Sequence, residues 1–142
     1  VGAGNTWTDT EKVRFKTDLG ATYTFQQDVV DNPFTKTNFP GVRFSYEFWS
    51  QVTSTTVFLS DHNMDWNRDT SDCGRADWTN ALPVKLNEKF FLKPSLQLLW
   101  RNDPALTSVP LFDTNGDPAG ESVLVPLEKL DSLFSLALVM KF

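Results

Sequence analysis

The stretch Phe134-Ser-Leu-Ala-Leu-Val-Met-Lys-Phe142 alternates two kinds of side chain up to its last residue. Large apolar side chains occupy every second position, namely Phe134, Leu136, Leu138, Met140 and Phe142. The residues between them are small or polar, with Val139 as the exception. Because successive side chains of a β-strand point to opposite faces, the pattern predicts a strand with one apolar face and one polar or tightly packed face.

Two classes of protein contain strands of this kind. In a transmembrane β-strand the apolar face contacts lipid, whereas in a soluble sheet it packs against a core. Since the alternation continues into an aromatic carboxy terminus, we predict the last membrane-facing strand of a β-barrel in the bacterial outer membrane. A soluble β-sandwich or ligand-binding barrel is the alternative, and a chain that stayed monomeric without detergent would favour it.

The composition agrees with one β-rich domain covering residues 1–142. Hydrophobic residues make up 40% of the chain, but no run approaches the about 20 consecutive apolar residues that a spanning helix requires. Aromatic residues reach 13%, with 12 Phe and 5 Trp, as expected where rings lie in lipid and at its interfaces. The net charge of -5, without a cluster of Lys and Arg, argues against a nucleic-acid partner.

Other segments repeat the alternation of the terminal strand. Val13–Phe25 is the longest, and it exceeds the about 10 residues that span a membrane as a tilted strand. Three later segments follow the same rule: 42–48, 76–86 and 92–101. Pro83 and Pro94 predict strand ends or bulges at their positions. Apolar residues of both parities from Val57 to Trp66 predict a bulge that switches the parity of that strand.

The predicted connections alternate in length along the chain. Short ones lie near 9–11, 53–56 and 87–89, and longer ones cover 27–40, 67–74 and 102–126. Outer-membrane barrels have short periplasmic turns and longer extracellular loops. The alternation therefore predicts an antiparallel up-and-down barrel whose long loops lie outside the cell and whose carboxy terminus lies in the periplasm.

The number of predicted strands, about seven, is odd. A single-chain bacterial barrel has an even number of strands, and an open strand edge in lipid is not tolerated. The first strand, Val1–Asp9, would be such an edge. We therefore expect the barrel to be completed by amino-terminal strands absent from this chain or by another chain.

Charged side chains share the parity opposite to the apolar residues. The predicted lumen-facing residues are Arg14, Lys16, Asp18, Arg43, Glu47, Asp77, Lys85, Lys93 and Arg101. Both signs are mixed, so we expect these groups to pair across a narrow lumen. A passive, porin-like diffusion channel is an alternative, because the bore depends on the total number of strands.

Three segments together resemble a known family. Val1–Tyr23 contains a Gly-rich strand, a polar turn and a Gly-bearing strand, Asn80–Lys93 contains a strand-turn-strand unit, and Leu130-Asp131 precedes the closing strand. These features resemble the carboxy-terminal part of the salt-induced outer-membrane proteins, a family of unknown function. The resemblance implies a bacterial outer-membrane barrel that contacts lipid and the barrel-assembly machinery, with a structural, envelope-stress or small-solute role. It implies no catalytic residues and no cofactor.

One group of residues offers a catalytic hypothesis. His62 is the only histidine, and Ser60, Asp61 and Asp65 lie close to it in sequence. A Ser-His-Asp arrangement could hydrolyse lipid if the three groups approached to hydrogen-bonding distance, about 3 Å. Groups of this kind are more often ordinary polar residues near the end of a strand than catalytic sites. We therefore predict a protein that is not an enzyme, with a lipid-modifying barrel enzyme as the alternative.

One further segment has the spacing of a calcium loop. Asp113, Asn115 and Asp117 alternate as oxygen ligands, and Gly116 permits a sharp turn. The twelfth position of a calcium loop would be Leu124 instead of Glu, so the signature is incomplete. We therefore predict an Asn-Gly turn at a loop tip and no metal site, and calcium binding is the alternative.

Overall fold

The structure is a computed structural model that describes residues 1–25, 38–67, 74–102 and 104–141. Its strands are β1 Gly2–Asp9, β2 Val13–Phe25, β3 Asn38–Gln51, β4 Val57–Asn67, β5 Gly74–Ala81, β6 Val84–Lys85, β7 Phe90–Arg101, β8 Leu106–Phe112, β9 Pro118–Pro126 and β10 Leu130–Met140. Within the described residues no helix is long and apolar enough to cross a membrane. Phe142, the last residue of the predicted membrane-facing strand, lies outside the described part of the chain.

The strands form one large antiparallel sheet and a separate hairpin. The large sheet runs in the order β1-β2-β3-β4-β5-β7-β10, and β6 pairs with β7. Strands β8 and β9 form the hairpin between β7 and β10. The prediction of an all-β, up-and-down antiparallel fold is therefore confirmed, but the segment 102–126 contains a hairpin that the sequence pattern did not predict.

The short and long connections lie at opposite ends of the large sheet. Residues 10–12, 52–56 and 86–89 join neighbouring strands at one end. The pairs Phe25 with Asn38, Trp66 with Gly74 and Trp100 with Leu130 lie at the other end, where the chain leaves one strand and enters the next after a longer stretch of sequence. Lys141 donates its backbone N–H to Lys89, so the chain leaves β10 at the end that carries the short turns.

The two edges of the sheet are open within the described residues. β1 pairs only with β2, and β10 pairs only with β7. Unpaired strand edges expose a row of backbone N–H and C=O groups to whatever surrounds them. The described strands therefore form an open sheet, and they leave two edges at which further strands could pair.

The register separates apolar and charged side chains onto two faces. Directly paired residues of adjacent strands share a face, as in the pairs Leu19 with Phe44 and Phe44 with Met64. We call this side the apolar face. Its other large members include Phe15, Phe48, Trp66, Trp78, Leu96, Leu98, Phe134, Leu136, Leu138 and Met140. The opposite side, which we call the polar face, carries the charged residues.

The sheet has almost no interior of its own. Ala81, 6% exposed, is the one hydrophobic residue that is buried among those described, whereas Phe134 is 68% exposed. The accessible surface is 10520 Å², compared with about 7,400 Å² for a compact monomer of 16.1 kDa by the usual scaling with mass. The apolar face therefore requires a covering that the described strands do not supply.

The predicted bulge in the fourth strand is wrong. β3 and β4 pair from Gln51 with Val57 to Gly41 with Asn67 without a shift in register. Because both neighbours pair continuously with β4, its parity cannot switch, and Leu59 lies on the polar face beside Trp49 and Ala81. Apolar residues near a short turn are thus tolerated on the polar face. A shift in register occurs instead in β1, between Thr6 and Thr8.

The interruption predicted at Pro94 is wrong, because Pro94 lies inside β7 and pairs with Leu136 of β10 without a shift in register. Near Pro83 a strand ends as predicted, but the register survives the interruption. β5 ends at Ala81, which pairs with Ser95, and β6 resumes with Val84 opposite Leu92. The predicted turn at Asn87 follows, where the side-chain Oδ1 accepts backbone N–H groups of Lys89 at 2.9 Å and Phe90 at 3.0 Å. This capped turn fixes the hairpin register between β6 and β7.

Gly41 makes a close backbone contact that a larger residue would disturb. A Cβ at this position would lie 2.6 Å from the carbonyl oxygen of Trp66. We expect Gly41→Ala to lower the free energy of unfolding by about 1–3 kcal/mol, because the two strands must move apart. Chemical denaturation followed by tryptophan fluorescence measures the change. Gly20→Ala is the control, since its nearest contacts would be 3.4 Å, and an equal loss in both variants would contradict the prediction.

Candidate functional site

The polar face brings together the charged residues that the sequence pattern grouped. The register places Arg14, Lys16 and Asp18 of β2 opposite Trp49, Glu47 and Ser45 of β3. The same rows continue across the sheet, so the following predicted residues share this face: Arg43, Asp77, Lys85, Lys93 and Arg101. That this face lines a lumen stays a prediction.

Near the short turns the charged groups form exposed pairs. Arg14 Nε lies 3.1 Å from Asp9 Oδ1, and its guanidinium lies 5.4 Å from the centre of the Trp49 ring. Lys16 Nζ lies 3.6 Å from Glu47 Oε2. Since all four charged side chains are exposed, each pair contributes about 0–1 kcal/mol to stability. These pairs line a groove of about 350 Å³ that also contains Asp61.

Near the long connections one carboxylate holds two arginines. Arg43 donates from Nε to Asp65 Oδ1 at 2.8 Å and from Nη2 to Oδ2 at 3.0 Å. Arg75 donates from Nε to Asp65 Oδ2 at 3.1 Å. The Asp65 side chain is only 14% exposed, whereas the two arginines are 45% and 44% exposed. A bidentate pair of this kind is stronger than an exposed ion pair between flexible side chains.

A second carboxylate, bound by uncharged donors, lies beside this cluster. Gln97 Nε2 donates to both carboxylate oxygens of Asp77, at 3.0 and 3.1 Å. Thr79 Oγ1 also lies 3.5 Å from Asp77 Oδ1. The carboxylate of Asp77 is therefore engaged by an uncharged donor, and the register places it one row from Asp65.

A groove of about 500 Å³ lies over the arginine cluster. Strand residues Arg43, Asp65, Arg75 and Arg101 line it, together with Pro104 and Leu127 at the base of the β8-β9 hairpin. The hairpin base thus covers part of the polar face. Sequence alternation could not indicate this groove, because the hairpin segment was predicted as a loop.

The structure contradicts the Ser-His-Asp arrangement. His62 lies on the apolar face opposite Tyr46 and Trp78, whereas Asp61 and Asp65 lie on the polar face. Consecutive residues of an uninterrupted strand point to opposite sides, so the Asp61 carboxylate cannot orient the His62 ring. These residues therefore lack the geometry for an Asp-oriented histidine base.

Ser60 and His62 belong instead to an aromatic cluster. Ser60, 4% exposed, accepts a hydrogen bond from Trp78 Nε1 at 3.1 Å, and its hydroxyl lies 3.2 Å from the Tyr46 hydroxyl. The His62 ring stacks on Tyr46, with ring centres 5.4 Å apart, and meets Trp78 edge-on at 6.2 Å. The serine thus provides a hydrogen-bond partner for the polar groups of two aromatic rings on an apolar surface.

The calcium candidate residues form the tip of the β8-β9 hairpin. Asp113 Oδ1 accepts the backbone N–H groups of Asn115 at 2.8 Å and Asp117 at 3.0 Å. Gly116 adopts a φ of 87°, so the segment has the predicted Asn-Gly turn. The turn itself is confirmed. Among the described residues no group of three or more His, Cys, Asp or Glu could hold a metal ion, and calorimetry with calcium tests the alternative.

The Asp113 turn should depend on pH. Backbone N–H groups, first that of Asp117 and then that of Asn115, lower the pKa of the Asp113 carboxyl below its ordinary value. The ionised carboxylate therefore orders the turn above the ordinary carboxyl pKa, and the order is lost as pH falls through the lowered pKa. We expect the amide NMR shifts of Asn115 and Asp117 to report this transition. Asp113→Ala should abolish it, whereas Asp117→Asn should keep it.

Comparison with known protein families gives a match over most of the chain. The model of a family described as protein of unknown function, DUF481, matches residues 1–115. The match includes β1 to β8 and the first part of the hairpin turn. No curated protein and no solved structure gives a significant match to the chain.

Proposed function

Because this chain belongs to the DUF481 family of proteins of unknown function, we propose its role from the two faces of its sheet. The proposal is a β-barrel wall of the bacterial outer membrane, of the salt-induced outer-membrane type, with a structural, envelope-stress or small-solute role and no catalysis. The observation that carries it is the apolar face, which extends over the large sheet while the described residues form almost no core.

Lipid is the covering that best fits the apolar face. Soluble monomers rarely expose contiguous apolar patches larger than a few hundred Å², yet Leu19, Phe134, Leu136 and Leu138 are all exposed. Hydrocarbon covers such a surface without a complementary protein surface. Aromatic side chains at both ends of the apolar face, such as Trp66 and Phe58 of β4, fit the two interfaces of a bilayer.

Strand length supports lipid over the core of a soluble sandwich. β2 has 13 residues, β3 has 14 and β10 has 11. Strands in soluble sheets have about 5–6 residues on average, whereas tilted membrane strands need about 9–11. The extra residues of β2 and β3 would extend beyond the bilayer at the end with the long connections, which the proposal assigns to the cell exterior.

Closure of the barrel requires strands beyond those described. An edge in hydrocarbon leaves backbone groups without partners, each at a cost of several kcal/mol. β1 and β10 are both open edges here, so the proposal includes further strands from the same protein or from another chain, inserted by the barrel-assembly machinery. Pairing at these edges would place the charged polar face toward the lumen.

Cell fractionation tests the proposal. We expect the intact protein, expressed from its own gene in a Gram-negative host, to remain in the outer-membrane fraction after carbonate extraction. A folded barrel should also migrate differently on a detergent gel before and after boiling. Recovery of a folded, detergent-free monomer from the soluble fraction would refute the proposal and favour the soluble β-sandwich or ligand-binding barrel.

A passive channel is a second candidate, favoured by the two grooves on the polar face. Planar bilayers containing the purified protein should show discrete conductance steps if water passes through the lumen. An insulating bilayer with correctly inserted protein would favour the structural role.

Analysis of the outer-membrane lipids in cells that express His62→Ala tests the lipid-modifying alternative. We expect this variant to leave the lipids unchanged.

A further inference from the structure

One row of the sheet concentrates positive charge on the polar face. The register aligns Arg43 of β3, Asp65 of β4, Arg75 of β5 and Arg101 of β7 side by side. The row thus contains three guanidinium groups and one carboxylate, which leaves an excess charge of +2. We call these four residues the arginine row.

Arg101 is the member of the arginine row without a counter-charge. It is paired directly with Arg75, and like charges directly opposite each other destabilise a sheet. In the described part of the chain no carboxylate lies within ion-pairing distance of Arg101, since the ion pairs of this row all involve Asp65. The repulsion between Arg75 and Arg101 would be relieved by an anion that both contact.

The acidic groups around the row do not fill this place. Asp77 is engaged by Gln97, while Glu128 and Asp131 line the same groove without an ion pair to Arg101 among the described residues. Lys129, the remaining cation of the groove, donates from Nζ to Asn102 Oδ1 at 3.3 Å. The excess of positive charge is therefore local to the arginine row, because the lining of the groove as a whole is balanced. It comprises four cations and four carboxylates, namely Arg43, Arg75, Arg101 and Lys129 with Asp65, Asp77, Glu128 and Asp131.

The groove above the row has the size of a small-molecule site. Its volume of about 500 Å³ falls within the about 300–1,000 Å³ of typical ligand pockets. Pro104 is buried at the hairpin base, and Leu127 adds an apolar wall beside the charged row. A ligand there would meet arginine donors from the sheet and an apolar surface from the hairpin.

We propose that the arginine row binds the phosphate group of a small solute or of a lipid headgroup, with Arg75 and Arg101 as its two principal contacts. Arg75 uses only Nε in its bond to Asp65, so its two terminal nitrogens can donate to phosphate oxygens. A phosphate monoester carries about -1.5 to -2 charges at pH 7, which matches the excess of the row. The inference rests on the proposed function, because it takes the polar face to be the water-filled side of the barrel.

Calorimetry of the intact protein in dodecyl maltoside tests the site with inorganic phosphate as the probe. We expect saturable binding that Arg101→Gln weakens about tenfold, as for loss of one charge-assisted contact. Lys16→Gln is the matched control on the same face, since Lys16 pairs with Glu47 far from the groove. Absence of saturable binding, or equal weakening in both variants, would overturn the inference.

Stability separates a binding role from a structural one. Without phosphate, Arg101→Gln should leave the unfolding midpoint unchanged or raise it, because the variant removes repulsion from Arg75. A lower midpoint together with unchanged phosphate binding would show that Arg101 serves the sheet alone, and would overturn the inference. A change in gel migration on boiling that equals the change seen for the wild-type protein verifies that both variants fold.

A second arm distinguishes the source of the phosphate group. The protein is reconstituted in phosphatidylcholine vesicles with and without phosphatidic acid, and competition with inorganic phosphate is measured. If phosphatidic acid weakens the binding of inorganic phosphate to the wild-type protein but not to Arg101→Gln, the site binds a lipid headgroup. If inorganic phosphate binds equally well with and without phosphatidic acid, the site binds a solute. Recovery of the protein as a soluble monomer would refute the membrane proposal, while the calorimetric titration would still test the site.

Discussion

Replacing Phe44 by lysine is expected to lower the free energy of unfolding from a lipid bilayer by about 2–4 kcal/mol. Phe44 lies near the middle of β3 on the apolar face, where it pairs with Leu19 of β2 and Met64 of β4. In the proposed barrel this position is close to the centre of the hydrocarbon, so the ammonium group must either lose its hydration or distort the bilayer. The lysine also removes an aromatic surface that contacts lipid.

Denaturant titration of the protein in phosphatidylcholine vesicles measures this change through tryptophan fluorescence. The matched control is Ser45→Lys, one residue along the same strand. Ser45 lies on the polar face opposite Asp18 and Asn63, where water and an acidic neighbour accommodate a lysine, so the change should stay within about 0.5 kcal/mol. Equal losses for the two lysine variants would contradict the assignment of the faces to lipid and water.

Removing the carboxylate of Asp65 is the second change with a large expected effect. Asp65→Ala leaves the guanidinium groups of Arg43 and Arg75 without their shared partner. Breaking a buried ion pair by removing one side costs about 3–5 kcal/mol. Because the two arginines are nearly half exposed, water compensates part of this cost, and we expect a loss of about 2 kcal/mol.

Urea titration of the folded protein in detergent micelles measures the Asp65→Ala effect. Asp61→Ala is the control, because Asp61 lies on the same strand and face but forms no ion pair within 4.0 Å among the described residues. It should cost less than about 1 kcal/mol. If added salt removed the whole difference between the variants, screened surface charge would explain it better than the bidentate geometry.

Much of the fold could be predicted because alternation is a local property. Whether Phe15 and Arg14 lie on opposite faces depends only on their being neighbours in an extended chain. The same reasoning grouped the charged residues of the polar face before any pairing was known. It failed in β4, where apolar residues of both parities are accommodated, and in the hairpin, which lies in a segment predicted only as a long connection.

The candidate sites depended on information that alternation does not contain. Tyr46, Ser60 and Trp78 meet through the register of three strands, and no spacing along the chain indicates that Ser60 satisfies both rings. His62 and Asp61 adjoin in sequence, yet the pleat separates their side chains. Proximity in sequence therefore suggested a catalytic group that the sheet divides between its two faces.

By itself the sequence determined the strand type, the separation of apolar from charged side chains and the alternation of short and long connections. Each follows from neighbouring residues, since an extended chain has a period of two and turns depend on a few adjacent positions. Only the tertiary structure decided which residues of different strands meet. The arginine row joins positions 43, 65, 75 and 101, because register depends on cooperative pairing along whole strands and on the turns that connect them.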